Sequence, residues 1–225
     1  MVLAEASPRL GGRVQGARIV TDAPTPHGPA TDLSRLPEGG FGARNVIWWG
    51  NLAFMLIEGT AFVLAMGAYL YLRGRGGAWP PPGDAMPSLL WSGVFTVGLL
   101  ASMLPNIWVS KRARAKDARS VRLGVLLMTI VGAVLLAIRG YELTTLNVRW
   151  DKDAYGSVVW MLMVLHTSHV ITDLGDTAVQ SLWLFTHQIG DEQFSDVDNN
   201  AAYWTFVVVS WVPIYLLIYW FPRLA

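Results

Sequence analysis

A chain of 225 residues with 17 Lys and Arg against 16 Asp and Glu has a formal net charge of +1, so no bulk charge draws it to nucleic acid. Hydrophobic residues make up 53% and charged residues 15%, and the mean hydropathy of +0.38 shifts the composition from a soluble domain toward a membrane protein. Cysteine is absent, which excludes a thiolate copper centre, an iron–sulfur cluster and a CxxCH haem attachment from its own side chains.

Residues 1–44 are rich in Gly, Pro and Arg and contain no apolar core of signal-peptide length. They read as a flexible, uncleaved arm. An apolar run of 28 residues follows from Asn45 to Leu72 (NVIWWGNLAFMLIEGTAFVLAMGAYLYL). At about 1.5 Å per residue it reaches roughly 42 Å, longer than the roughly 30 Å hydrocarbon core of a bilayer. Four further apolar segments are Pro87–Ser110, Val121–Leu146, Tyr155–Phe185 and Ala201–Phe221. No segment shows the alternation over about ten residues that a membrane barrel requires, and helices are the other structure that satisfies its own backbone in lipid. The expected fold is therefore all-α: a transmembrane domain over residues 45–225, built as a bundle of five transmembrane helices over 45–72, 87–110, 121–146, 155–185 and 201–221. Pro105 and Pro213 fall inside the second and fifth spans, where each removes a backbone donor and predicts a kink. Trp48, Trp49, Trp108, Trp150, Trp204 and Trp220 fall near predicted helix ends, where an indole anchors at the headgroup level.

Orientation follows from the basic loops. Lys111–Arg122 (KRARAKDARSVR) holds six basic residues against one Asp, and the arm adds Arg9, Arg13, Arg18, Arg35 and Arg44. Five spans put both on one side, which the positive-inside rule makes cytoplasmic, with the C-terminus outside. Gly190–Asn199, read as a cytoplasmic loop, is acidic; either a solvated loop or a face for a basic partner fits it. Arg73, Lys111, Arg112 and Arg114 lie where basic side chains meet anionic lipid headgroups.

Few ionisable residues enter the spans. Glu58 sits near the middle of the first, at a cost of about 2.5–3.5 kcal/mol for a charge at a helix centre, so it needs a buried partner. His166 lies 13 residues from Asp153 on an inward-running helix, as Glu58 lies 13 from Asn45 on an outward-running one. Both reach mid-membrane, which groups Glu58, His166 and His169 as one expected buried polar cluster, with either imidazole donating to the carboxylate. Asp173 and Asp176 continue the histidine face. Arg139 and Glu142, three apart, form an expected helix-end ion pair. A metal held by Glu58 and the two histidines is set below a hydrogen-bonded cluster, and four His are too few for a haem–copper centre. No catalytic residue is assigned.

Helix one with its central Glu58, the loop GGAWPPPG (Gly76–Gly83), RGYEL (Arg139–Leu143), AYGSVVWMLMVLHTSHV (Ala154–Val170) and AAYWTFVVVSWVPIYLLIYW (Ala201–Trp220) together resemble subunit III of haem–copper cytochrome c oxidases in its five-helix bacterial form. The resemblance implies an accessory subunit of the inner membrane without redox centres, packed on a catalytic subunit I that carries haem and copper beside other respiratory subunits. It further implies bound phospholipid and support of proton uptake. The family's intramembrane glutamate matches Glu58, its helix-end glutamate Glu142, and its HxxHV motif His166, His169 and Val170. Four positions depart from the usual pattern: Ile57 stands for Ser, Asp173 for Gly, and Thr205 and Val208 for His and Asp. An accessory subunit of a nitric oxide reductase is the alternative within the superfamily. A small membrane transporter is the alternative outside it, though no internal repeat supports one.

Overall fold

The computed structural model describes residues 40–84 and 86–224, so residues 1–39 of the expected arm lie outside the described residues. Among the described residues every regular element is helical: α1 Val46–Gly74, α2 Leu89–Ala101, α3 Met103–Arg114, α4 Ala118–Thr144, α5 Ala154–Thr186, α6 Asp191–Tyr215, a π turn Leu216–Trp220 and α7 Phe221–Leu224. They form five rods long and apolar enough to cross a membrane, with α2 and α3 making the second and α6 through α7 the fifth.

Local chemistry sets where the rods begin. A side-chain oxygen of the preceding residue captures a free amide at the start of three of them. Asn45 accepts from Ile47 N at 2.8 Å, Asp117 from Ser120 N at 3.2 Å and Asp153 from Gly156 N at 2.7 Å. Ser120 also donates its hydroxyl to Asp117 at 2.6 Å, and these bonds hold the Asp117 carboxyl below the usual carboxylate range.

Two proline effects are visible. Pro105 lacks the N–H that the preceding turn requires, and the second rod is interrupted at Ser102, whose hydroxyl donates to Leu99 O at 2.6 Å. In the fifth rod the π turn lies between Pro213 and Pro222, where backbone bonding must be re-made around two missing donors.

The acidic segment Gly190–Asn199 is not a loop. It is helical from Asp191, because Gln193 Oε1 caps Gly190 N at 2.7 Å and Asp191 and Glu192 complement the positive end of the helix. Its charges also meet basic groups of the same chain. Lys116 Nζ donates to Asp191 at 2.7 Å, while Arg114 Nε and Ser110 Oγ donate to Asp198 at 2.9 and 2.6 Å. The basic segment Lys111–Arg122 is likewise mostly helix, with residues 115–117 alone joining α3 to α4. Pairing across this end of the bundle makes both segments longer than hydropathy predicts. At the opposite end Lys152 pairs with Asp84, and Arg223 Nη2 donates to Pro87 O at 2.6 Å.

Helix α5 lies at the centre of the bundle and α1 at its edge; half of the α5 span is buried against 17% for α1. Leu56, Ile57, Val63 and Leu64 of α1 point outward, each more than 60% exposed, as a lipid- or protein-facing surface requires. Helices α3 and α4 approach closely at Gly124, where an added Cβ would stand 2.5 Å from Val109 Cγ2. Trp204 departs from the expected anchoring role. The earlier start of α6 puts it well inside the helix, where it is 3% exposed and donates to Ser102 Oγ at 2.9 Å. Trp49 and Trp150 are exposed as anchors are.

Candidate functional site

The intramembrane polar residues fall into two systems. The first is centred on Arg139 of α4, which is fully buried. Its guanidinium carbon stands 3.6 Å from the ring centre of Phe95 and 3.9 Å from that of Trp211. The cation is thus sandwiched between two aromatic faces whose quadrupoles favour it. Nη1 donates to Glu142 Oε2 at 2.8 Å, and Tyr219 donates its hydroxyl to the other Glu142 oxygen. The sandwich itself is held, since Trp211 Nε1 donates to Thr96 Oγ1 at 2.8 Å.

His166 belongs to this first system. Its Nε2 lies 3.1 Å from Val207 O. A carbonyl can only accept, so Nε2 carries the proton and Nδ1 is free to accept from Arg139 Nη2 at 3.4 Å. The imidazole is therefore neutral, wedged between a cation and a carbonyl.

The second system is centred on Glu58 of α1. His169 Nε2 lies 3.3 Å from Glu58 Oε1, and Tyr203 of α6 donates to Glu58 Oε2 at 2.8 Å. His169 Nδ1 lies 2.6 Å from Leu165 O and must donate to it. The Nε2 contact then needs one further proton, borne by the imidazole as an ion pair or by the carboxyl as a neutral pair. The expected trio is accordingly divided: His169 meets Glu58, and His166 meets Arg139.

Glu58 and Tyr203 also line an open cleft of about 870 Å³ between α1, α5 and α6. Asp176, Gln180, Asp196 and Asn199 supply more of its polar wall, and Ile47, Phe54, Val179 and Trp183 its apolar wall. Among the described residues no three His, Cys, Asp or Glu converge as a set of metal ligands. Of the basic residues considered for lipid headgroups, Arg114 is engaged by Asp198 and Arg73 stacks at 4.2 Å on Phe221. Arg112 reaches Asp117 at 3.7 Å while remaining half exposed, and Lys111 is exposed.

A family model described as cytochrome c oxidase subunit III matches residues 44–223. The chain belongs to the cytochrome c oxidase subunit III family. Cytochrome c oxidase subunit 3 of Synechocystis is 26% identical over 184 residues, which cover 80% of this chain and 78% of that protein. The subunit 3 of Thermostichus vulcanus is 25% identical over 177 residues, covering 77% and 87%, and that of the tick Rhipicephalus sanguineus is 24% identical over 206 residues, covering 84% and 77%.

The positions singled out in the comparison of motifs, Ile57, Asp173, Thr205 and Val208, have distinct surroundings in this subunit III chain. Ile57 is 68% exposed on the outer face of α1, away from the Glu58 contacts. Thr205 accepts from Asn106 Nδ2 at 3.1 Å and donates to Ala201 O at 2.9 Å, so it ties α6 to α3. Val208 is buried in the apolar core. Asp173 is 2% exposed and neither carboxyl oxygen has a hydrogen-bond partner among the described residues.

Sequence reasoning passed over Tyr203 and Tyr219, which supply the third member of each system. The available signal was a phenol inside an otherwise apolar helix, where an O–H must find an acceptor. One test separates the two systems. In a double-mutant cycle, Glu58→Gln and His169→Gln are expected to couple by about 0.5–3 kcal/mol in resistance to unfolding in detergent. Glu58→Gln with His166→Gln is expected to be additive, and equal coupling to both histidines would count against the division.

Proposed function

We propose that this chain is an accessory subunit without redox centres, packed on the catalytic subunit I of a respiratory haem–copper oxidase, which it stabilises together with its proton uptake. Haem and copper belong to partner subunits; this chain offers four His and no Cys. Family membership supports the reading, and one observation carries it: the buried polar groups around Arg139 are spent on joining helices. Arg139, Glu142, Tyr219, His166 and Trp211 link α4, α5, α6 and the π turn through side chains that end on one another. Such a network fixes a rigid scaffold.

Phospholipid is part of the proposal. The outward apolar face of α1 and the apolar wall of the cleft suit acyl chains, and Lys111 and Arg112 suit anionic headgroups at the basic end of the bundle. That end is cytoplasmic by the positive-inside argument, which leaves the C-terminus outside the inner membrane of a bacterium.

Purification of the native complex through a tag on this chain tests the reading. Haem absorption and a large catalytic subunit are expected in the purified material. A strain lacking the chain is expected to retain the haem spectrum while its oxidase loses activity faster during turnover. A preparation without haem or a large partner, or one containing a nitric oxide reductase, overturns the proposal.

A further inference from the structure

A second, much smaller cavity lies where α3, α4, α5 and α6 meet. It measures about 10 Å³, which is room for one water. Its polar wall is Asn106 of α3, Thr177 and Gln180 of α5 and Asn200 of α6, and among the described residues no charged side chain lines it. Asn106 and Thr177 are buried, at 3% and 7% exposure.

The bonds these four side chains already make leave a balanced remainder. Asn106 Nδ2 donates to Ala201 O at 2.8 Å and to Thr205 Oγ1 at 3.1 Å, and because a carbonyl only accepts, Oδ1 is the end left to accept. Asn200 Nδ2 donates to Thr177 Oγ1 at 2.9 Å and to Gln180 Oε1 at 3.2 Å. Thr177 therefore keeps its own O–H to give, and Gln180 its Nε2 protons. Asn200 Oδ1 is buried without a partner among the described residues. Two acceptors and two donors thus surround the cavity. A cation would meet the donors and an anion the acceptors, and either would lack a counter-charge. A dry cavity would leave the Asn200 oxygen to bear its full desolvation cost.

We propose that this cavity is a binding site for a single structural water, held by Asn106, Thr177, Gln180 and Asn200. The water donates its two protons to Asn106 Oδ1 and Asn200 Oδ1 and accepts from Thr177 and Gln180, which meets the usual complement of about three bonds for a buried water. Asn106 bonds directly to α6 alone, so the water supplies a polar link from α3 to α5. Gln180 and Asn200 line the cleft between α1, α5 and α6 as well as the cavity, and the bond between them is the partition through which water enters. The site is independent of the accessory role.

Cryo-electron microscopy of the tagged complex tests the proposal, in a map that resolves ordered water elsewhere in the membrane region. An isolated peak within hydrogen-bonding distance of Thr177 Oγ1 and Asn106 Oδ1 is expected. Thr177→Val keeps the side chain's shape without its O–H, and Asn106→Leu nearly keeps its shape without its acceptor. Each is expected to lose the peak while Arg139 stays between Phe95 and Trp211. A wild-type map without the peak overturns the proposal, and it decides the matter even if a variant fails to assemble. So does a peak that survives both substitutions, or one whose height follows the NaCl concentration, which would mean an adventitious ion only.

Discussion

Glu142→Leu is expected to destabilise the protein by about 3–5 kcal/mol, because it leaves the buried guanidinium of Arg139 without its carboxylate. The two aromatic faces that flank the cation soften this loss, at about 0.5–2 kcal/mol each, and do not replace a charge. The effect should be read as a lowered thermal transition in detergent and as loss of the chain from its complex. Adding Arg139→Met to Glu142→Leu should restore part of the stability, since removal of both charges leaves no buried ion unpaired. Tyr219→Phe, which deletes one donor to Glu142, should cost about 1–3 kcal/mol. A Glu142→Leu protein within about 1 kcal/mol of the parent would mean that Arg139 does not depend on this partner.

Gly156→Ala is expected to be the most damaging single-methyl change. An added Cβ would stand 1.9 Å from Arg149 O and 2.9 Å from Arg149 C, both backbone atoms. The loop cannot yield easily, for Trp160 Nε1 holds Val148 O at 2.7 Å and Ser157 Oγ holds Trp150 O at 2.7 Å. Overpacking of this kind costs about 1–3 kcal/mol, and more where backbone must move. Gly175→Ala on the same helix meets nothing within 4 Å and should be neutral or slightly stabilising. Thermal unfolding of the two variants checks the contrast, and equal behaviour would refute the steric argument.

The sequence made the architecture readable because each span buries backbone in lipid and so must be long and apolar; Glu58 and Arg139 interrupt those spans without hiding them. What it concealed were the ends. Gly190–Asn199 looks like a loop when its carboxylates are counted as free charges, yet Asp191 and Asp198 are neutralised by Lys116 of the α3–α4 link and Arg114 at the end of α3. Trp204 looked like an interfacial anchor for the same reason, since its depth is measured from a start that lies further back.

The polar interior was legible by residue type and not by partner. Helical spacing places His166 and His169 on one face, and both are buried. It cannot say that a three-residue step turns one toward α6 and the Arg139 cation and the other toward α1. Those assignments depend on helix rotation, which is set by packing between distant segments. Close approaches such as Gly124 against Val109 and Trp108 contribute to that packing. The orphan state of Asp173 is likewise a property of its neighbours, since nothing in its own sequence context distinguishes it from Asp176.

The peripheral position of α1 bears on how the protein is made. Tyr203, which holds Glu58, lies 145 residues further along the chain. At about 5–20 residues per second the ribosome delivers it roughly 7–30 s after Glu58 has been synthesised. Until His169 and then Tyr203 emerge, the first span crosses the bilayer with its carboxyl group lacking these partners and few neighbours to pack on. The stage of biogenesis most exposed to error is therefore the first helix waiting for the last, and a variant that weakens the Glu58 contacts should appear in cells as turnover of newly made chain before any assembled complex is harmed.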